Sequence, residues 1–130
     1  MIEFKNVSAS YDGELAVLAD VSFTVNDGDF VAFVGTNGAG KSTLMKLMVG
    51  LLRPGEGTVS LFGEPIGEKR AEDLSRQISL VYQIPEEMFI KDSIRADIAY
   101  AMEVRKIPEW EKRTAELLER FRLTELADRD

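Results

Sequence analysis

Phe30-Val31-Ala32-Phe33-Val34-Gly35-Thr36-Asn37-Gly38-Ala39-Gly40-Lys41-Ser42-Thr43-Leu44 passes from an all-apolar run, through three glycines, into a helical pattern. Gly35 to Ser42 matches G-x-x-x-x-G-K-[ST] without a mismatch. With glycine near 7% of average usage, a chain of this length meets that pattern by chance with a probability of about half a percent. The context lowers it further. Phe30–Val34 reads as a strand buried on both faces. From Lys41 to Gly50 a helix opens, with Leu44, Met45, Leu47, Met48, Leu51 and Leu52 covering so wide an arc that it reads as a core helix. A strand, a glycine loop and a helix in that order form a cradle for phosphate. Glycine lets the backbone wrap an anion without a Cβ in the way. Successive N–H groups and the helix N-terminus then face the anion. Lys41 adds a full charge toward the β- and γ-phosphates, and the Ser42 hydroxyl is a hard oxygen donor suited to Mg²⁺.

Outward from this loop, the N-terminal side is strand-like. Ile2–Val7 and the alternating Val21–Val25 are read as strands. Asn26-Asp27-Gly28-Asp29 is read as a turn that folds Val21–Val25 back onto Phe30–Val34 as a hairpin. On the other side, Pro54-Gly55 ends the helical stretch. Thr58–Phe62 and Ile78–Tyr82 are read as strands, and Ala71–Gln77 as a short helix. From Ser93 the chain becomes helical. Ile94, Ile98, Ala101 and Met102 share one face, as do Trp110, Thr114, Leu117, Leu118 and Phe121, with Pro108 in the first turn of the second helix. Met102 and Trp110 at this spacing are read as core.

Composition narrows the chemistry. The 130 residues carry 23 acidic and 16 basic side chains, a net charge of −7, which opposes non-specific contact with a nucleic-acid backbone. Cysteine and histidine are both absent, which excludes disulfides, thiolate and imidazole metal sites and Ser-His-Asp triads within these residues. No apolar run approaches the length needed to span a bilayer, and the first residues resemble no targeting peptide, so a cytosolic setting is expected.

The loop Gly35–Leu44, followed by Leu51-Leu52-Arg53-Pro54-Gly55-Glu56-Gly57, resembles the ATP-binding domain of ABC transporters. Tyr11, 24 residues before Gly35, stands where that family carries an aromatic A-loop residue that stacks on adenine. Gln83, 42 residues after Lys41, stands at the family's Q-loop. Val81-Tyr82-Gln83-Ile84-Pro85-Glu86-Glu87-Met88-Phe89-Ile90 is similar to the energy-coupling-factor branch and its cobalt and nickel importers, with Ile84 where an asparagine is usual.

The resemblance implies an α/β P-loop fold. It would have a mainly antiparallel part over 1–30, a P-loop core over 30–83, and the Q-loop with the start of a helical subdomain over 84–130. It implies ATP and Mg²⁺ as ligands. Tyr11, Gly35, Thr36, Asn37, Gly38, Ala39, Gly40, Lys41, Ser42 and Thr43 would hold the nucleotide. Ser42 and Gln83 would ligate the metal, and Lys41 and Gln83 would serve catalysis. Two such domains sandwich ATP, and a membrane-spanning subunit docks near Gln83–Phe89 and the helical segment, placing the protein on the inner membrane face. Met88, Phe89 and Ile90 fit either that docking surface or core packing.

The signature Leu-Ser-Gly-Gly-Gln does not occur in the 130 residues. The resemblance then implies the first part of a longer domain, which binds nucleotide without efficient hydrolysis by itself. A non-hydrolysing regulatory piece is the alternative. A DNA-repair or chromosome-maintenance ATPase of the same superfamily would carry a long coiled coil after the Q-loop, where two short amphipathic helices are read.

Overall fold

The computed structural model describes residues 1–11 and 15–129, which divide into two units, Met1–Leu80 and Val81–Asp130. In the first, β1 (Ile2–Ser10), β2 (Ala16–Val25), β3 (Glu56–Leu61) and β4 (Glu64–Pro65) form one antiparallel sheet in the order β2-β1-β3-β4.

Phe4 and Val7 are both buried although they lie an odd number of residues apart. The ladder shifts between them, at Asn6, whose φ is 49°. Such a bulge moves the following residues to the other face, so Val7 and Ala9 join Phe4 in the core. Side chains replace the missing ladder bonds. The Asn6 amide donates to Ser22 Oγ (2.8 Å), Asn6 Nδ2 to Asp20 Oδ1 (2.8 Å), and the Asp20 amide to Ser8 Oγ (3.1 Å). On the β3 side the strands come so close that a Cβ on Gly57 would fall 2.2 Å from the Asn6 carbonyl oxygen.

The helix α1 (Lys41–Met48) lays Leu44, Leu47 and Met48 on this sheet against Phe4, Val7, Ala9, Leu18, Val59 and Leu61. It ends two residues before the sequence expectation. Gly50 takes φ +73°, its amide donates to the Leu47 carbonyl, and the Leu51 amide donates to the Lys46 carbonyl at 2.9 Å. That pair of bonds is the Schellman stop, which a glycine at this position favours. α2 (Ala71–Ser75) adds Leu74 to the same core.

Two expected strands and the expected hairpin are corrected. Residues 30–34 and 78–82 have no strand pairing. The turn itself forms: the Asp29 amide donates to the Asn26 carbonyl, and Gly28 has φ +85°. Beyond it the chain does not return along β2. Phe33 instead packs edge-on against Phe23, with ring centroids 5.4 Å apart, while Phe30 is fully exposed and Val34 94% exposed. An all-apolar strand needs neighbours on both edges to satisfy its N–H and C=O groups. Among the described residues no strand lies beside either segment.

In the second unit, α3 (Ile94–Val104) is capped by Ser93, whose Oγ accepts the Ala96 amide at 3.3 Å. α4 (Trp110–Arg120) begins after Glu109, so Pro108 lies outside the helix rather than in its first turn. The two helices pack through Thr114 and Leu118, both buried. Met102 and Trp110, expected in the core, are only half-buried at its edge.

Candidate functional site

Residues 35–40 join the Phe33 segment to α1. Within them the Ala39 amide donates to the Thr36 carbonyl at 3.2 Å, and Gly38 takes φ +84°. Gly40 follows with φ +85° as the N-cap of α1, and the helix has no side-chain cap. Only the Gly40 carbonyl serves the start of the helix, accepting from the Leu44 amide at 2.9 Å. The amides of Lys41, Ser42 and Thr43 are thus the N-terminal donors of an α-helix without an internal acceptor. The Lys41 ammonium reaches back and donates to the carbonyls of Gly35 and Thr36, each at 2.7 Å. Two of its three N–H donors hold the loop in a ring and one remains. Gly35, Thr36, Asn37, Gly38 and Ala39 are exposed, as is Ser42 in the first turn of α1.

Thr43 differs from its neighbours in being buried. Its Oγ1 lies 3.2 Å from the Tyr11 hydroxyl. Tyr11 is 58% exposed, and the Lys46 ammonium stands 5.4 Å from its ring centroid. The structure therefore joins Tyr11 to the glycine loop across 32 residues of sequence. Lys46 did not stand out in the sequence. The available signal was its spacing: three residues after Thr43 on a helix is the same face. Leu18 was also missed. A Cβ on Gly40 would meet Leu18 Cδ2 at 2.7 Å, so β2 forms the wall behind the loop.

Gln83 belongs to the second unit. It is exposed on a bend between the Tyr82 segment and a 3-10 turn at Pro85–Met88. The Tyr82 amide donates to Met88 Sδ at 3.4 Å, which closes this bend. Asp97, in the first turn of α3, accepts the amides of Ile90 and Lys91 at 2.8 and 3.1 Å and ties the segment to the helix. A hollow of about 700 Å³ lies beside it, floored by Phe89, Ile94, Ile98, Leu123 and Leu126.

Residues 18–130 match the family of ABC transporters. The chain belongs to that family. Similar proteins include two energy-coupling factor transporter ATP-binding proteins named EcfA1. That of Ureaplasma parvum is 42% identical over 82% of this chain and 36% of its own length. That of Enterococcus faecalis is 37% identical over all of this chain and 48% of its own length. The chain thus spans less than half the length of these relatives. Among solved structures, cbiO1 of Clostridium perfringens, described as part of the ABC transporter complex cbiONQ, superposes with a TM-score of 0.81 at 27% identity. It does so over 98% of this chain and 52% of the other. The P-loop ABC fold and the energy-coupling-factor branch read from residues 35–44 and 81–90 are both those of the proteins found. Among the described residues the helices of the second unit, α3 and α4, are 11 residues each, short of the long coiled coil that a chromosome-maintenance ATPase would carry there.

Proposed function

We propose that this chain binds Mg²⁺ and ATP through Gly35–Thr43 and Tyr11, as the nucleotide-holding part of an ABC importer subunit of the energy-coupling-factor kind. The observation that carries the reading is the Lys41 ammonium bound to the Gly35 and Thr36 carbonyls, over a helix whose only cap is Gly40. A loop held in that ring keeps its amides and one lysine N–H for an anion, and a helix start without a side-chain cap favours negative charge.

The division of labour follows from chemistry. The backbone of Gly35, Thr36, Asn37, Gly38, Ala39 and Gly40 wraps the phosphates. The amides of Lys41, Ser42 and Thr43 donate to their oxygens, and Lys41 Nζ neutralises charge on the β- and γ-phosphates. The exposed Tyr11 ring stacks on adenine. The residues fit magnesium rather than a metal caged by protein ligands. Among the described residues no group of three or more Asp or Glu is gathered, and Ser42 offers a single exposed hydroxyl. Magnesium characteristically takes few protein oxygens and completes its shell with phosphates and water. When bound, the ion would supply positive charge that offsets the negative charge of the phosphates. By the family resemblance, Gln83 would be a second oxygen donor to the ion.

Hydrolysis asks for a group that orients water, and for a partner site across the nucleotide. The 130 residues hold no histidine and no Leu-Ser-Gly-Gly-Gln. They bind nucleotide and turn it over near background, pairing with a second ATP-binding domain for full activity. A membrane-spanning subunit seats on the second unit. The apolar hollow at Phe89, Ile94 and Ile98 and the exposed Ile90 support that surface. That docking would place the chain on the inner face of the membrane; among its described residues no helix is long and apolar enough to cross one.

Isothermal titration of Mg²⁺ and ATP into the chain and into Lys41→Ala tests the reading. Loss of one charge-assisted contact of about 1.5–3 kcal/mol corresponds to roughly ten- to hundredfold weaker binding. Equal affinity in both proteins would refute it.

A further inference from the structure

Tyr11 is held at two points and open elsewhere. Its hydroxyl lies 3.2 Å from the buried Thr43 Oγ1, and the Lys46 ammonium sits 5.4 Å from its ring centroid. Yet 58% of the residue remains exposed. A tyrosine ring has two side-chain torsions. A hydrogen bond at the tip together with a cation over one face defines both the position and the plane of the ring. The two anchors stand three residues apart on α1, on one helical face. Thr43 is therefore tied to the base side of the site as well as to the phosphate side.

We propose that Thr43 and Lys46 are positioning residues for Tyr11, fixing its ring so that the face turned away from Lys46 is presented to a purine base. This rests on the ATP reading above, and deepens it by naming what sets the contribution of the base to affinity. Without the anchors the phosphates still bind, but the base loses its prepared surface.

The test compares ATP with inorganic tripolyphosphate, which has the charges but no base, by isothermal titration with Mg²⁺. The ratio of the two affinities is read, because losing the Lys46 charge also weakens attraction for any polyphosphate. In Lys46→Met the preference for ATP falls about three- to fivefold, the scale of an exposed cation–π contact. Lys46→Arg restores it. Tyr11→Phe, an exposed change that keeps the ring, lowers the ratio about threefold through loss of the hydroxyl bond. Thr43→Val on top of Tyr11→Phe lowers it no further. Tripolyphosphate binding with a ratio unchanged within twofold in both Lys46→Met and Tyr11→Phe overturns the proposal. If the parent chain does not bind tripolyphosphate, the phosphate-loop reading itself falls, and the positioning role with it.

Discussion

Gly40 and Leu18 meet so closely that a Cβ on the glycine would lie 2.7 Å from Leu18 Cδ2, with the Val17 carbonyl oxygen at 3.2 Å. The N-cap of α1 is therefore seated directly on β2. The same glycine has φ +85°, a backbone state costly for any residue with a Cβ. The glycine loop and the sheet meet at this residue, and a single methyl group there disturbs both.

Gly40→Ala should accordingly lower the unfolding free energy by about 1–3 kcal/mol, the cost of a strained backbone position. It should also weaken ATP binding, because the loop must shift off Leu18. Urea unfolding and nucleotide titration of the same variant check the two effects. Normal stability with normal binding would show that the contact with Leu18 does not shape the loop.

The second unit contains a pH-dependent fastening. Arg95 Nε and Nη2 donate to the two Asp128 carboxylate oxygens at 2.6 and 3.0 Å, and the Arg95 amide donates to the Ala127 carbonyl at 2.8 Å. The hydrogen bond from Arg95 holds the Asp128 carboxyl below the usual carboxylate range, and its partner raises Arg95 further above neutrality. A depressed carboxylate stabilises the fold fully above its unfolded value, roughly pH 4, and loses that contribution as pH falls through the folded value. Asp128→Asn should therefore loosen the segment after α4 at pH 7, and the difference from the parent should shrink as pH falls through the folded carboxyl's lowered range. Amide hydrogen exchange at Arg95 and Ala127 reads this directly, and a pH-independent difference would contradict it.

Phe30 and Val34 expose apolar side chains on backbone that pairs with no strand. Phe30→Ser with Val34→Thr should leave the unfolding free energy of this chain within about 0.5 kcal/mol, as for other surface substitutions. It should raise the concentration at which the chain aggregates, since open apolar edges template association. Denaturation and light scattering on the double variant check both halves. A large loss of stability would mean that these side chains pack more tightly than the structure has them.

The glycine loop, the helix after it and the two C-terminal helices were legible in the sequence, because each carries a local signature. Glycine positions, the 3.6-residue period and the Ser93 cap do not depend on distant residues. The segments 30–34 and 78–82 were misread for the opposite reason. An apolar run announces burial, but a strand exists only beside another strand, and that partner is not written in the run itself. β2 was read five residues short, because the left-handed Asp20 opposite the Asn6 bulge breaks the alternation before Val21. Tyr11 was found by its distance from the loop, whereas its grip by Thr43 and Lys46 needed coordinates. Both contacting groups lie more than 30 residues from it in sequence.

In the proposed function the amides between residues 35 and 43 receive a polyphosphate. Backbone ¹⁵N NMR of the chain, titrated with Mg²⁺ and ATP, tests it most directly. The amides of Gly38, Gly40, Lys41, Ser42 and Thr43 should shift first and furthest, and in Lys41→Ala the same shifts should need roughly ten- to hundredfold more ATP. Shifts confined to other residues, with this loop unmoved at saturating nucleotide, would contradict the account.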